Sequence, residues 1–206
     1  MKRRGLLIVV SGPSGVGKGT ICKELFKSSD DIHLSVSVTT RAAREGEVHG
    51  KNYFFISKEA FQSMIENDEL LEYAQVYDNY YGTPKGFVMD QLEQGRDILL
   101  EIDIQGALQV KERYPEGVFV FIVPPSMEEL RNRIVGRGTE TLEAINKRFS
   151  SAYDEIDLMS NYDYYIINDT VQKATKRLQC ILEAERYRIL PENVTELIQE
   201  LKEEKK

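Results

Sequence analysis

The sequence contains little cysteine or histidine. Two Cys and two His occur among 206 residues. With His33 and His49 the only histidines, a zinc site of His and Cys ligands and a histidine-dependent catalytic triad are both disfavoured. Cys22 and Cys180 lie far apart in helix-like contexts, so we expect two buried thiols and no disulfide.

Long hydrophobic runs and an excess of basic charge are also lacking. The apolar run at residues 6–10 is far shorter than the roughly 20 residues of a membrane span, and shorter than the ~7–15 of a signal peptide. Lys and Arg number 27 against 34 Asp and Glu, a net charge of −7, which disfavours a general nucleic-acid binder. We therefore expect a cytoplasmic protein forming a single domain over residues 1–206, with no membrane or nucleic-acid partner.

The hydrophobic periodicity predicts alternating strands and helices. Strands are predicted over residues 6–10, 35–38, 53–56, 70–77, 97–103, 118–123 and 164–167. Helices are predicted over residues 18–27, 59–66, 84–95, 127–135, 140–157 and 171–187, with a helix or frayed tail over 196–206. Ser57 and Ser126 precede two of these helices as candidate caps. The pattern is typical of an α/β fold, with a buried parallel sheet and helices on both faces.

The alternation lapses between residues 35 and 81, where strands follow one another closely. This indicates a small, partly antiparallel insertion. Turns are predicted at residues 50–53 and 79–84, and they carry tyrosines that could reach a ligand. Ligands of open α/β sheets collect at the carboxyl ends of the strands, where Ser11, Glu101, Asp103 and Asn168 are expected.

A phosphate-binding loop follows the first predicted strand and opens the first helix. The stretch fits G-x-x-x-x-G-K and consists of Gly12, Pro13, Ser14, Gly15, Val16, Gly17, Lys18, Gly19 and Thr20. Its backbone N–H groups and the helix N-terminus would surround phosphate oxygens, and Lys18 would reach the β- and γ-phosphates. Gly19 stands where a Mg²⁺-binding Ser or Thr usually follows the Lys, which argues against direct coordination of Mg²⁺ by this loop.

The loop alone leaves three classes open: a nucleotide kinase, a GTP switch and a non-catalytic binding module. Residues 103–106 fit the weak D-x-x-G pattern of GTP switches, but the guanine-reading N-K-x-D is missing because residue 149 is Phe. A kinase needs a second anion site. Arg41 and Arg44, three residues apart after a strand, could grip one phosphate, and Glu72 stands alone among apolar residues as a candidate acceptor.

Over about residues 5–188 the chain resembles the guanylate kinases. The resemblance rests on motifs in the family order at residues 12–18, 37–44, 46–53, 79–83, 101–106 and 136–141. It implies a P-loop NTPase-type parallel sheet with a small mixed β/α nucleotide-binding insertion and a helical lid. The implied core is residues 1–34, 86–126 and 156–206, with the GMP-binding insertion at 35–85 and the lid at 127–155.

The resemblance also implies ATP-dependent phosphorylation of GMP to GDP, with dGMP as a further acceptor. Catalytic roles fall to Lys18, Arg41, Arg137 and Arg148. The GMP phosphate is assigned to Arg41, Arg44, Tyr53 and Tyr81, and the base to Ser37, Glu72 and Thr83, with Glu101 and Asp103 nearby. ATP contacts are assigned to the loop, Arg133, Arg137, Asn168 and Asp169. Mg²⁺ is the implied cofactor, with Asp103 as a candidate to reach it through a water, and a homo-oligomer is left open.

The chemistry of the bases supports GMP as the acceptor. Guanine presents N1–H and an N2 amino group side by side, and one carboxylate can accept both bonds. Adenine has an acceptor at N1 that would repel Glu72. Two alternatives remain: a non-catalytic guanylate-kinase-like interaction module, and a mononucleotide kinase for another base.

Overall fold

A parallel sheet and a second, mixed sheet organise the protein in this computed structural model. The structure describes residues 4–29, 31–76, 78–136, 142–189 and 191–203. The strands are β1 (Leu7–Ser11), β2 (Ile32–Leu34), β3 (Val38–Thr39), β4 (Phe54–Phe55), β5 (Leu70–Val76), β6 (Asn79–Pro84), β7 (Asp97–Glu101), β8 (Val118–Val123) and β9 (Tyr164–Ile167). The helices are α1 (Lys18–Phe26), α2 (Lys58–Glu66), α3 (Lys85–Glu93), α4 (Ile104–Arg113), α5 (Met127–Val135), α6 (Leu142–Asp157), α7 (Val171–Arg186) and α8 (Pro191–Glu203).

The parallel sheet has the strand order β2-β7-β1-β8-β9. Side chains alternate across the sheet along central β1. Leu7 and Val9 pack with buried residues of α3 and α4 on one face. Ile8 and Val10 pack on the other face with buried residues of α1, α5 and α7. The predicted α/β fold is thus confirmed, and it places the loop after β1 beside the carboxyl end of β7.

The second sheet is the predicted insertion. Its order is β4-β3-β6-β5, with β3 and β4 parallel and the other pairs antiparallel. A small core of its own holds it together, in which Val38, Phe61 and Leu70 are buried. The Ser57 side chain accepts from the Ala60 N–H and caps α2, as predicted. Likewise, Ser126 caps α5 by accepting from the Glu129 N–H.

Several local predictions were wrong. The strand predicted at residues 35–38 is present only as the two-residue strand β3. The strand β2, which precedes that region, was not predicted. Residues 79–84 are no turn but strand β6, because their backbone pairs with β5 despite the Gly and Pro among them. Helix α4 was also missed; Asp103 begins it by accepting from the Gly106 N–H at 2.8 Å.

Two burial predictions were wrong as well. Only one face of edge strand β9 packs in the core, through Tyr164 and Ile166, while Tyr165 is 64% exposed on the other face. Cys22 is buried and Cys180 is exposed, and both are free thiols. Within the described ranges, no helix combines the length and apolar character that crossing a bilayer requires.

Candidate active site

The phosphate loop connects β1 to α1 at the carboxyl edge of the parallel sheet. Gly12 has a φ of 140°, and a Cβ there would lie 2.3 Å from the Ile122 carbonyl oxygen of β8, so only glycine fits. Gly17, with a φ of 98°, precedes α1, and among the described residues no side chain caps this helix start. The first N–H groups of α1 are therefore left to bind an anion.

Lys18 lies folded against the loop. Its ammonium group donates to the Gly12 carbonyl at 2.6 Å and to the Pro13 carbonyl at 3.4 Å. Burial lowers the pKa of Lys18, and the nearby carboxylates of Glu101, Glu155 and Asp103 oppose that shift. The loop thus holds a cation near acidic groups of β7, α6 and the start of α4.

Gly19 faces the carboxylate of Glu101. A Cβ at Gly19 would lie 3.0 Å from Glu101 Oε1 and 3.4 Å from Oε2. Glu101 ends β7 and pairs in register with Val10 of β1, which brings its side chain over the first turn of α1. Glu101 therefore fills the space into which a side chain at position 19 would project.

A second region of the site is a pocket of about 210 Å³ between the two sheets. Six of its lining residues were predicted as acceptor-binding residues: Ser37, Tyr53, Glu72, Tyr81, Glu101 and Asp103. The rest of the lining is Ala74, Val76, Gly82 and Ile102. The insertion and the end of β7 thus form one cavity with three carboxyl groups.

Glu72 of β5 is the buried polar group of this pocket, with 6% of its surface exposed. Its Oε1 accepts a hydrogen bond of 2.6 Å from the Thr83 hydroxyl on the paired strand β6. Burial raises the pKa of Glu72 to about 7; the Thr83 bond opposes the shift, and the Asp103 charge adds to it. Thr83 therefore orients Glu72 in this structure. From the sequence, Thr83 was predicted to contact the nucleotide base.

Gly106 of α4 makes room for the Glu72 carboxylate. A Cβ at Gly106 would lie 2.7 Å from Oε2 and 3.2 Å from Cδ of Glu72. This contact explains why a glycine, which has a lower helix propensity than Ala, stands in the first turn of α4.

We expect Gly106→Ala to raise the KM for the nucleotide that binds in this pocket about tenfold or more while leaving the KM for the nucleotide at the phosphate loop unchanged. The methyl group would force the Glu72 carboxylate out of position, and overpacking of this kind commonly costs about 1–3 kcal/mol. Gly86→Ala in α3 is the matched control, because among the described residues no atom outside its own stretch of helix lies within 4 Å of its Cβ. Steady-state kinetics with the two nucleotides varied separately measure both effects. If Gly106→Ala and Gly86→Ala behaved alike, the assignment of Glu72 to the pocket nucleotide would be contradicted.

The raised pKa of Glu72 predicts a pH-dependent stability. A carboxyl group with a pKa of about 7 when folded, against 4.5 ordinarily, favours the native state fully below pH 4.5 and loses that contribution as the pH rises through 7. Glu72→Gln does not titrate there. Its free energy of unfolding, relative to wild type, should therefore rise by about 2.5 kcal/mol between pH 5 and pH 8. Urea unfolding of both ligand-free proteins at four pH values measures this difference, and a constant difference would contradict it.

A cluster of two arginines and one glutamate lies next to Tyr53 of the pocket, centred on Arg41. The Arg41 guanidinium forms a two-point ion pair with Glu47, with both N–O distances 2.9 Å, and lies 5.4 Å from the ring centre of Tyr53. Tyr53 and Tyr81 are in edge contact, with ring centres 6.0 Å apart. Arg44 adds a backbone N–H to Glu47 at 2.7 Å, and its side chain is exposed. The four predicted phosphate residues are thus neighbours.

The predicted ATP-binding residues from the lid and the last strand are placed as follows. Arg133 of α5 donates to the Val16 and Asn168 carbonyls at 3.3 and 3.0 Å. Asn168 is buried and donates its side-chain amide to the Val16 carbonyl at 2.7 Å. Asp169 pairs with Arg177 at 2.6 Å. Arg148 lies half-buried on α6, and Arg137 lies outside the described residues.

Sequence reasoning missed three residues of the site. Glu47 orients Arg41, Gly106 makes room for Glu72, and Glu155 of α6 stands near Lys18. Gly106 could have been identified as a site residue, because it is the glycine of the D-x-x-G stretch at the start of α4. Glu47 lies within the motif at residues 46–53 but was given no role there, and Glu155 does not differ from its acidic neighbours in the sequence. The fold was therefore needed to assign a role to either residue.

The arrangement has two regions suited to phosphate groups, one at the loop and one at Arg41, on either side of a pocket lined by carboxyl groups. Transfer of a phosphoryl group between two nucleotides requires such a meeting of two anions in fixed positions. The fold and the site together define a phosphate-loop nucleotide kinase.

Comparison with known proteins narrows this class. The family model for guanylate kinase matches residues 4–185. The guanylate kinase of Clostridioides difficile is 62% identical over 187 residues, 91% of either chain. That of Caldanaerobacter subterraneus subsp. tengcongensis is 61% identical over 189 residues, 92% of either chain. The crystal structure of guanylate kinase from Anaplasma phagocytophilum matches with a TM-score of 0.73 at 38% identity, covering 91% of this chain and 89% of that one.

The chain belongs to the guanylate kinase family. This confirms the resemblance predicted from the sequence motifs, and with it the enzyme class, a kinase acting on a nucleotide.

Proposed function

We propose that this protein transfers the γ-phosphoryl group of ATP to GMP, and to dGMP, in the cytoplasm. The observation that carries the proposal is Glu72, a buried acceptor oriented by Thr83 and facing a pocket next to the phosphate loop. Its two oxygens offer four lone-pair positions, so Thr83 and the N1–H and N2–H groups of guanine can be accommodated together. The bonds to guanine favour the ionised carboxylate, which lowers the pKa of Glu72 again when GMP is bound.

The acceptor phosphate is assigned to Arg41, Arg44, Tyr53 and Tyr81. Glu47 holds the Arg41 guanidinium in place, which reduces the entropy lost when Arg41 binds phosphate. The GMP phosphate is already ionised near neutral pH, so its oxygen attacks without a strong general base. The protein's contribution is to fix that oxygen in line with the γ-phosphorus of ATP.

The donor phosphates are assigned to the loop and Lys18, with Arg133, Arg137 and Arg148 from the lid at residues 127–155. Lys18 would leave the Gly12 carbonyl and turn to the phosphates, where its charge stabilises the transferring group. Closure of the lid over the core and the insertion at 35–85 would exclude water and so suppress hydrolysis of ATP.

The carboxyl groups beside the loop fit a magnesium ion bound mainly through ATP. Mg²⁺ prefers oxygen ligands and keeps several of its waters, so it needs few protein ligands. Among the described residues no cluster of three or more His, Cys, Asp or Glu could hold a metal ion by itself. Asp103 and Glu101 are the carboxylates that would reach the ion, Asp103 through a water. When bound, Mg²⁺ would neutralise charge on the phosphates.

A coupled assay with ATP and each of GMP, AMP, UMP and CMP tests the proposal. We expect GMP to be the preferred acceptor by at least two orders of magnitude in kcat/KM, because a site built to bond two N–H groups rejects a base that lacks them. Preference for another base would assign the pocket to a different mononucleotide. Binding of GMP without turnover would instead indicate the non-catalytic module.

A further inference from the structure

Three parts of the protein meet at one backbone carbonyl of the phosphate loop, that of Val16. The side-chain amide of Asn168, which follows β9, donates to this oxygen at 2.7 Å, and the bond is buried. The Arg133 guanidinium of α5 donates to the same oxygen at 3.3 Å and to the Asn168 carbonyl at 3.0 Å. Asn168 is 4% exposed, and its own N–H is bonded to the Val123 carbonyl of β8. The amide is therefore fixed by the sheet before it reaches the loop.

The direction of the Val16 carbonyl controls the direction of the next N–H group. The peptide between Val16 and Gly17 is planar and trans, so its C=O and N–H point in opposite directions. Holding the Val16 oxygen toward Asn168 turns the Gly17 N–H away from Asn168. Gly17 has a φ of 98°, and a Cβ on it would lie 2.5 Å from Asn168 Nδ2, so the loop and the amide are in close contact. A peptide next to a left-handed glycine rotates easily unless it is held.

We infer that Asn168 is a positioning residue: with Arg133 it holds the Val16–Gly17 peptide so that the loop is preorganised for the phosphates of ATP. This differs from the adenine contact predicted for Asn168 from the sequence. The inference rests on the proposed function for its substrate, since the loop is taken to bind the donor triphosphate. A residue that contacts adenine affects the binding of ATP but not of other triphosphates. A residue that fixes the conformation of the loop affects the binding of every triphosphate, whatever its base.

Asn168→Asp tests the inference because it replaces the donor Nδ2 by an oxygen of the same size. The new oxygen would face the Val16 carbonyl, and the peptide would be repelled instead of held. We expect the KM for ATP to rise roughly tenfold or more, the KM for GMP to stay within about twofold, and the ratio of ATP to GTP as donors to remain unchanged. The affinity for inorganic tripolyphosphate, measured by calorimetry, should fall by a factor similar to that for ATP.

Two further variants complete the experiment. Asn168→Ala removes the donor without adding repulsion, so we expect smaller changes in the KM for ATP and in the affinity for tripolyphosphate. This variant replaces Asn168→Asp in the test if the Asp variant does not fold. Asn161→Asp is the matched control, since Asn161 also donates to a carbonyl, that of Leu158 at 3.0 Å, but is exposed and lies in the turn after α6. We expect this control to bind tripolyphosphate as wild type does.

The outcomes are separable. A changed ATP/GTP ratio with unchanged tripolyphosphate affinity would mean that Asn168 contacts the base, and the inference would be wrong. A lower melting temperature with normal kinetics and normal tripolyphosphate binding would reduce Asn168 to a structural role, which also overturns it. Failure of the wild type to phosphorylate GMP would overturn the proposed function instead, while the tripolyphosphate measurement would still decide the role of Asn168.

Discussion

Glu72→Gln should lower kcat/KM for GMP by roughly 10²–10⁴, the largest change expected from any single substitution in this site. The Gln side chain keeps the shape of Glu72 but replaces one acceptor oxygen by an NH₂ donor. Because the Thr83 hydroxyl donates to the group at 2.6 Å, the amide oxygen is retained on that side, and the NH₂ group is turned toward guanine. One charge-assisted bond, typically about 1.5–3 kcal/mol, is lost and a donor–donor clash replaces it.

AMP should lose far less than GMP, because it makes neither bond with Glu72. The GMP/AMP ratio of kcat/KM should therefore collapse in the variant. Glu69→Gln, an exposed residue just before β5, is the matched control and should leave the ratio unchanged. If Glu72→Gln retained the wild-type preference for GMP, guanine would have to be recognised elsewhere, and the assignment of the substrate would lose its main physical support.

Lys18→Ala should reduce kcat by about 10²–10³ while the protein remains folded. Lys18 is the cation of the loop itself, and loss of one preorganised group that stabilises transition-state charge commonly has an effect of this size. Its removal also leaves Glu101, Glu155 and Asp103 without their shared counter-charge, so weaker binding of ATP phosphates is expected in addition.

The matched control is Lys27→Ala, which removes an exposed lysine that follows the same helix and pairs with Glu24. Circular dichroism would establish that both variants are folded, and steady-state kinetics would compare their kcat values. A folded Lys18→Ala protein with nearly normal turnover would show that this loop does not bind the transferring phosphate.

Features that depend on residues close together in the chain could be predicted from the sequence. The apolar run of β1, the glycine spacing of the loop and the Ser57 and Ser126 caps depend on neighbouring residues alone. The same holds for Glu72, a single carboxylate within an apolar strand. Strand β6 could not be predicted, because its Gly and Pro favour a turn and only pairing with β5 makes it a strand.

The remaining site contacts depend on residues far apart in the chain. Thr83 reaches Glu72 across a strand pair, and Asn168 reaches Val16 over 152 positions. A single sequence does not show that two such residues are in contact, because no pattern in the residues around either one identifies its partner. The resemblance to a family assigned Thr83 to the base and Asn168 to ATP; their bonds to Glu72 and to Val16 within the protein could be found only from the structure.

The contact between Gly19 and Glu101 makes these two positions interdependent. A serine or threonine at position 19 would compete with the Glu101 carboxylate for the same space, since even its Cβ would come within 3.0 Å of Oε1. Shortening residue 101 to aspartate withdraws the carboxylate by one methylene and opens that space. We therefore expect glycine at position 19 to be favoured with glutamate at 101, and a hydroxyl at position 19 to be favoured with aspartate at 101. We also expect substitutions at these two positions to be non-additive, because each changes the space that is available to the other.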